Sequence, residues 1–273
     1  MFHTGQRRGR LAGAFHLLEL IYHSAVRNIR RRHNNAFIAI GVNILQSVVF
    51  VMVFYAMFVV LGIRSTALRG DFLLYIMSGI FLFMCHVKAV GAVTGAEGPA
   101  SAIMKHAPMN TVISVSSAAL ACLYVQILSM AVILFVYHVA FTPITIDDPV
   151  GAVGMVLLGW FTGCSVGLIF YALKPWFPTF VSVATMAYQR ASMIVSGKMF
   201  LANSLPAFML ALFDWNPLFH CIDQARGFVF LNYTPLFTSW KYALWVGIAL
   251  TMIGLMGEFH TRRRASISWS ARQ

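Results

Sequence analysis

Apolar residues run almost unbroken through six stretches of this chain, roughly 36–63, 72–93, 115–142, 150–173, 177–200 and 238–257. About 20 apolar residues carry an α-helix across the hydrocarbon of a bilayer, so each stretch predicts a spanning helix. Residues 11–34 are patterned differently. There Leu11, Ala14, Phe15, Leu18, Ile21, Tyr22, Ala25 and Ile29 recur at spacings of three and four, while Arg27 and Arg30 to Arg32 gather at the end. That is one apolar stripe on a helix. With its basic end it reads either as a helix lying along the cytoplasmic face of the membrane or as a basic flank that orients the first span. The two readings are compatible.

The expected fold is an all-α integral membrane protein. Residues 1–35 form an amphipathic interface helix, 36–257 a transmembrane domain of six helices, and 258–273 a basic tail. Between spans five and six, residues 201–237 hold two shorter patterns. Asn216 suits an N-cap, Pro217 the first helical position, and Arg226-Gly227 a helix stop. "NPLFHCIDQARG" therefore predicts a helix of about ten residues, too short to span at 1.5 Å per residue. Upstream, "NSLPAFMLALFDW" predicts a second short helix from Pro206 to Asp214. The pair reads as a re-entrant hairpin lining the outer end of a pathway, or as an amphipathic hairpin lying flat on the outer leaflet.

Composition agrees with a membrane protein: 59% of residues are hydrophobic and only 10% charged, in a chain of 273. The net charge of +12 would suit a nucleic-acid partner only if it covered a solvated face. Here it flanks apolar runs, which excludes nucleic acid and points to anionic lipids and topology. With the N-terminus inside, the inner segments carry Arg7, Arg8, Arg10, Arg27 and Arg30 to Arg32, then Lys105, Lys174, Arg262 to Arg264 and Arg272. The outer loops carry Arg64, Arg69 and Arg226. This asymmetry predicts both termini in the cytoplasm. The cysteines at 85, 122, 164 and 221 are far apart and have no zinc or redox spacing.

Within the spans, Lys88, Lys198 and Lys241 lie near helix ends, where a lysine can snorkel to the headgroups. Arg190 does not. The same stretch carries Ser182, Thr185, Gln189, Ser192 and Ser196 at spacings of three and four, a polar stripe on one helix face. Gln189, Arg190, Ser192 and Ser196 are therefore candidate path residues, with His220, Asp223 and Arg226 shaping the outer end. Hydrogen bonding between helices is the alternative use of the stripe. Gly159, Gly163 and Gly167 form a small-residue ridge for close helix packing, within one subunit or across a dimer.

Gly95, Gly98 and Pro99 end the second span, and "ASAIMKHA" can then make about two turns before Pro108. This inner loop, 94–111, offers a docking helix for a soluble partner or is a plain connection. No phosphate-binding loop occurs: Gly197-Lys198 is followed by Met199, and Ser192 stands where such a loop needs glycine. ATP-driven transport would require a separate motor.

The basic N-terminal helix, the six spans, the inner loop helix and the late hairpin together resemble a permease of an ABC transporter of the type-2 exporter class. The resemblance is nearest to the branch that exports capsular and other cell-surface polysaccharides in bacteria. That family's Asn-Pro-Leu followed by Arg is matched by Asn216, Pro217, Leu218 and Arg226, and its small-residue break after span five by Ser196 to Phe200. The resemblance implies a coupling helix near Ala100 to Ala107, with Glu97, Met104, Lys105 and His106 at the ATPase. It further implies two copies of a cytosolic ABC ATPase that binds ATP and Mg, a second copy of this chain, and a polysaccharide or lipid-linked substrate. The location would be the bacterial inner membrane, and this chain would hold no catalytic residue, metal or cofactor. Export of lipids or small hydrophobic molecules by the same architecture is the alternative, followed by an ATPase-independent channel or secondary transporter.

Overall fold

The computed structural model describes residues 10–32, 36–62, 71–98 and 110–270. Among these the chain is all helical, with no strand. The elements are α1 (Arg10–Arg32), α2 (Ala36–Val60), α3 (Phe72–Thr94), α4 (Thr111–Ala140), α5 (Pro149–Leu173), α6 (Pro178–Val195), a 3₁₀ turn at Ala202–Ser204, α7 (Ala207–Phe213), α8 (Pro217–Val229) and α9 (Trp240–Ser270).

Five helices are long and apolar enough to cross a membrane: α2, α3, α4, α5 and α9. Their burial separates centre from periphery. The most apolar window of α3 is 83% buried and that of α5 50%, against 28%, 22% and 17% for α2, α4 and α9. Val49, Met52 and Val53 of α2, Phe135 and Val139 of α4, and Trp245, Met252 and Met256 of α9 are left exposed. Water would penalise that much bare apolar surface; lipid would not. The expected fifth span is shorter than its sequence pattern. α6 has 18 residues and ends at Val195, and its polar stripe keeps it apart from the five strongly apolar helices.

Local chemistry explains several boundaries. Asp71 caps α3 by accepting from the Leu73 amide, and Asp148 caps α5 through the Val150 and Gly151 amides. Partial burial works to raise the pKa of Asp71, but hydrogen bonds from Tyr137, Thr142 and the amides of Leu73 and Leu74 hold its carboxyl below the usual carboxylate range. Lys174 donates to the Thr94 carbonyl at the end of α3, placing a cation where the helix dipole favours one. α9 runs on to Ser270, so much of the expected tail continues that helix. Its extension is tied to α5, where Thr261 donates to the Ala172 carbonyl and Trp176 to Thr261.

α1 packs chiefly on α4, where Asn28 donates to Ser117. Its stripe divides: Ile21 is buried, and Leu18 and Tyr22 are exposed.

The small-residue ridge of α5 packs inside the subunit. A Cβ on Gly163 would meet the His86 carbonyl at 2.5 Å, and one on Gly167 would meet the Val90 carbonyl at 2.9 Å, both on α3. Gly159 has open space around that position. Its carbonyl instead accepts from His86 Nδ1 at 3.0 Å, while His86 Nε2 takes the Tyr188 hydroxyl at 2.8 Å. One buried imidazole thus joins α3, α5 and α6. Gly163→Ala or Gly167→Ala should lower stability by about 1–3 kcal/mol through overpacking, whereas Gly159→Ala should be neutral. Thermal unfolding of the three variants in detergent checks the order.

Candidate functional site

The bundle holds two features that chemistry can use: a large cavity, and a buried break where α6 ends. The cavity has a volume of about 1070 Å³ and is walled by α1, α2, α3, α4 and α6. Its polar lining includes Asn43 and Gln46 from α2, Lys88 from α3, Gln126 from α4, and Gln189 and Arg190 from α6, with Glu97 just past α3. Phe50, Phe83, Met84, Met186 and Met193 supply apolar wall. Asn43 is the hub on one side: its amide donates to Gln126 at 2.6 Å and Ser129 at 2.7 Å, and its carbonyl oxygen accepts from Lys88. These groups are on helices far apart in sequence, and their satisfied network fixes the wall.

The break follows Ser196. Gly197 takes φ +70°, a conformation costly for residues with a Cβ, and a Cβ there would strike the Phe219 ring at 2.3 Å. The chain after it lies against the first half of α3, because a Cβ on Gly79 would meet the Lys198 carbonyl and the Arg226 guanidinium, each at 2.8 Å. Backbone that leaves a helix while buried in the protein exposes carbonyls that something must satisfy. Arg226, fully buried on α8, does so. Its Nη1 donates to the carbonyls of Gly197 (3.1 Å) and Phe200 (2.6 Å), and its Nη2 to that of Lys198 (2.5 Å). The guanidinium also lies over the Tyr75 ring at 4.2 Å.

Asp223, one turn earlier on α8, performs the matching task for donors. It accepts from the Ala202 amide (3.2 Å), the Tyr233 hydroxyl (2.5 Å) and the Thr238 hydroxyl (2.8 Å). Burial pushes the Tyr233 phenol up, as does its bond to this carboxylate. His220 is a strut. Its Nδ1 accepts from the Ser239 amide at 3.0 Å, which leaves the proton on Nε2 to donate to the Asp214 carbonyl at 2.6 Å. α8 itself begins as its sequence predicts, with Asn216 capping the Leu218 amide. It then runs through Gly227 to Val229, since that glycine is needed for close approach rather than for a stop: a Cβ there would meet Pro235 at 2.7 Å.

Sequence-predicted residues therefore divide. Gln189, Arg190 and Glu97 line the cavity. Ser192 and Ser196 are buried and lie outside its lining. His220, Asp223 and Arg226 lie outside that lining: Arg226 and Asp223 hold the backbone after the break, and His220 links Asp214 to Ser239. Met104, Lys105 and His106 lie outside the described residues. Sequence reasoning passed over Asn43, Gln126 and His86, each a polar residue within an apolar run. Such residues are costly inside a membrane unless paired, and that signal was available.

Lys198 is the most unusual residue at the break. It is 3% exposed, and its ammonium lies 3.8 Å from the Phe83 ring centre, 4.6 Å from that of Phe54 and 5.3 Å from that of Phe50. Among the described residues its Nζ has no hydrogen-bond partner. Each cation–π contact contributes roughly 0.5–2 kcal/mol, which offsets only part of the cost of burying a charge without a counter-charge.

No family model matches this chain, and no curated protein matches it.

Replacing Arg226 leaves three carbonyls without their donor, and each buried acceptor so stranded costs about 1–3 kcal/mol. Arg226→Met should accordingly lower stability by roughly 3 kcal/mol or more. Arg226→Lys should recover little, because an ammonium lacks the planar fork that reaches several acceptors at once. Chemical or thermal unfolding of both variants measures this.

Proposed function

We infer that this chain is the membrane permease of an ATP-driven exporter, with the ATPase on a separate polypeptide. The observation that supports this reading best is the cavity of about 1070 Å³. It lies at the upper end of the roughly 300–1,000 Å³ typical of sites for small organic ligands. Three of its walls, α2, α3 and α4, are helices long and apolar enough to cross a bilayer, and its lining mixes amides and cations with Phe and Met. A purely structural bundle gains nothing from a polar hollow of that size. A transporter needs one.

On this reading α6 and the segment through α8 make the fifth of six passages, interrupted at Gly197, and α9 makes the sixth. α7 and α8 form the re-entrant hairpin, and the Arg226 clamp holds its inner end at membrane depth. Both termini face the cytoplasm, as the charge asymmetry predicts. The cavity then opens toward the side of α1, the end of α3 and Glu97, which is where an ATPase would dock. Glu97 is anchored there: its carbonyl accepts from Ser114 at 3.1 Å and from Tyr171 at 3.0 Å. ATPase closure would reach the cavity through this segment and the α1–α4 contact. Two permeases and two ATPases complete the transporter. The substrate proposed is a capsular or other cell-surface polysaccharide crossing the bacterial inner membrane. Stacking of sugar rings on Phe50 and Phe83, and attraction of acidic groups to Lys88 and Arg190, favour it.

The apolar share of the same lining (Val42, Met84, Val125, Met186 and Met193) favours a second reading with the same architecture, export of a lipid or small hydrophobic molecule.

Gentle purification of the tagged chain from its native membrane tests the class. A nucleotide-binding subunit should accompany it in equal amount, and should be lost when residues 100–107 are replaced by a Gly-Ser linker in a chain that still inserts. A homo-oligomer free of any ATPase, under conditions that preserve a known ABC complex, would overturn the proposal in favour of a channel or secondary transporter.

A further inference from the structure

We propose that Lys198 is a screened anchoring point for the anionic group of an amphiphilic substrate, reached from the cavity when the Phe50 and Phe83 rings move aside. The proposal rests on the cavity being the substrate's path.

Its first support is position. Phe50 and Phe83 both line the cavity and both face the Lys198 ammonium. A single layer of aromatic rings therefore separates a buried cation from a space large enough for a ligand. The two rings lie nearly parallel, at 21° with centres 6.0 Å apart, on different helices.

The second support is the pattern of unpaired donors. Among the described residues, the buried side-chain polar atoms without a hydrogen-bond partner are Thr185 Oγ1, Ser196 Oγ, Lys198 Nζ and Arg226 Nε. Three of these four belong to the break or to the residue that clamps it, and all three can donate. Native interiors pair nearly all such groups, so a local group left unpaired calls for an explanation. The acidic side chain of the clamp does not provide it: Asp223 is occupied by Ala202, Tyr233 and Thr238. A phosphate or carboxylate entering from the cavity would supply acceptors and a counter-charge together.

The third support is the wall leading there. Arg190 and Lys88 line the approach, while Met84, Met186 and Met193 give it apolar, adaptable surface. Two cations among methionines and phenylalanines, on a wall that also carries amides and Glu97, suit a molecule with one anionic group and a hydrocarbon or other apolar body. A methionine would pack at 198 as well as a lysine does and would carry no buried charge, so packing alone gives no reason for lysine there.

The test uses the chain purified in dodecyl maltoside, a neutral amphiphile, with dodecyl phosphate as probe and inorganic phosphate as the soluble-anion arm. A ligand that binds the folded state raises the unfolding midpoint in proportion to its saturation. Dodecyl phosphate should raise the midpoint of the native chain saturably, and inorganic phosphate should not. Lys198→Met should need at least tenfold more probe for the same rise, although its own midpoint equals or exceeds that of the native chain, because an unpaired charge has been removed. Lys241→Met, which alters an exposed lysine, should respond like the native chain. Phe83→Ala removes the nearest ring and should lower the concentration of probe required, which keeps the test decisive if the Lys198 variant folds poorly.

Unchanged binding in Lys198→Met, or no rise with either anion in the native chain, would overturn the proposal. A Lys198-dependent rise with inorganic phosphate alone would sink the amphiphile and leave a site for a free anion. The measurement involves neither ATPase nor export, so its failure is distinct from failure of the permease reading.

Discussion

One guanidinium decides how this bundle can be built. α6 stops at Val195, and the chain that follows, packed against α3 at Gly79, leaves the carbonyls of Gly197, Lys198 and Phe200 outside any helix. Arg226 donates to all three. A hydrogen bond involving a charged group contributes about 1.5–3 kcal/mol, and here three such bonds converge on one planar fork. Without it the interrupted helix would have to continue as a helix or withdraw to an interface. Asp223 makes the arrangement complete by holding the Ala202 amide and the Tyr233 and Thr238 hydroxyls. The two charges of α8 thus work on backbone and hydroxyl groups around them.

The cavity lies beside the same helix. α6, before its break, places Met186, Gln189, Arg190 and Met193 along one side of the space. α2, α3 and α4 carry Asn43, Lys88 and Gln126 on the other. Close packing elsewhere keeps the hollow from collapsing. α3 and α5 approach at Gly163 and Gly167 with no room for a side chain, and His86 ties both to Tyr188 of α6. Rigid contact on one side of α3 and a hollow on the other are parts of the same design.

Much of the layout is legible in the sequence because hydrocarbon imposes simple rules. Long apolar runs, caps such as Asp71 and Asn216, and the glycine ridge of α5 can be read from local pattern alone. The break after α6 is marked in sequence by Ser196 and Gly197, but what satisfies the backbone beyond it is not: that is a residue about thirty positions later. Arg226 itself resembles a helix stop followed by glycine, yet α8 continues to Val229. The polar stripe of α6 splits for a related reason. Gln189 and Arg190 line the cavity, while Ser192 and Ser196 are buried among neighbouring helices whose position no single-helix pattern contains. Lys198 offers the same lesson. Three phenylalanines from two other helices surround it, and sequence places it simply near the end of a span.

The most direct test of this account is the depth of the break. A nitroxide attached through Met199→Cys, in a chain whose four native cysteines are alanine, can be placed in lipid bilayers and its depth measured by relaxation with oxygen and a polar nickel complex. The account predicts a label near the bilayer centre, relaxed strongly by oxygen and weakly by nickel. A label at the outer headgroup level would contradict it, and would turn α7 and α8 into a hairpin lying on the membrane surface.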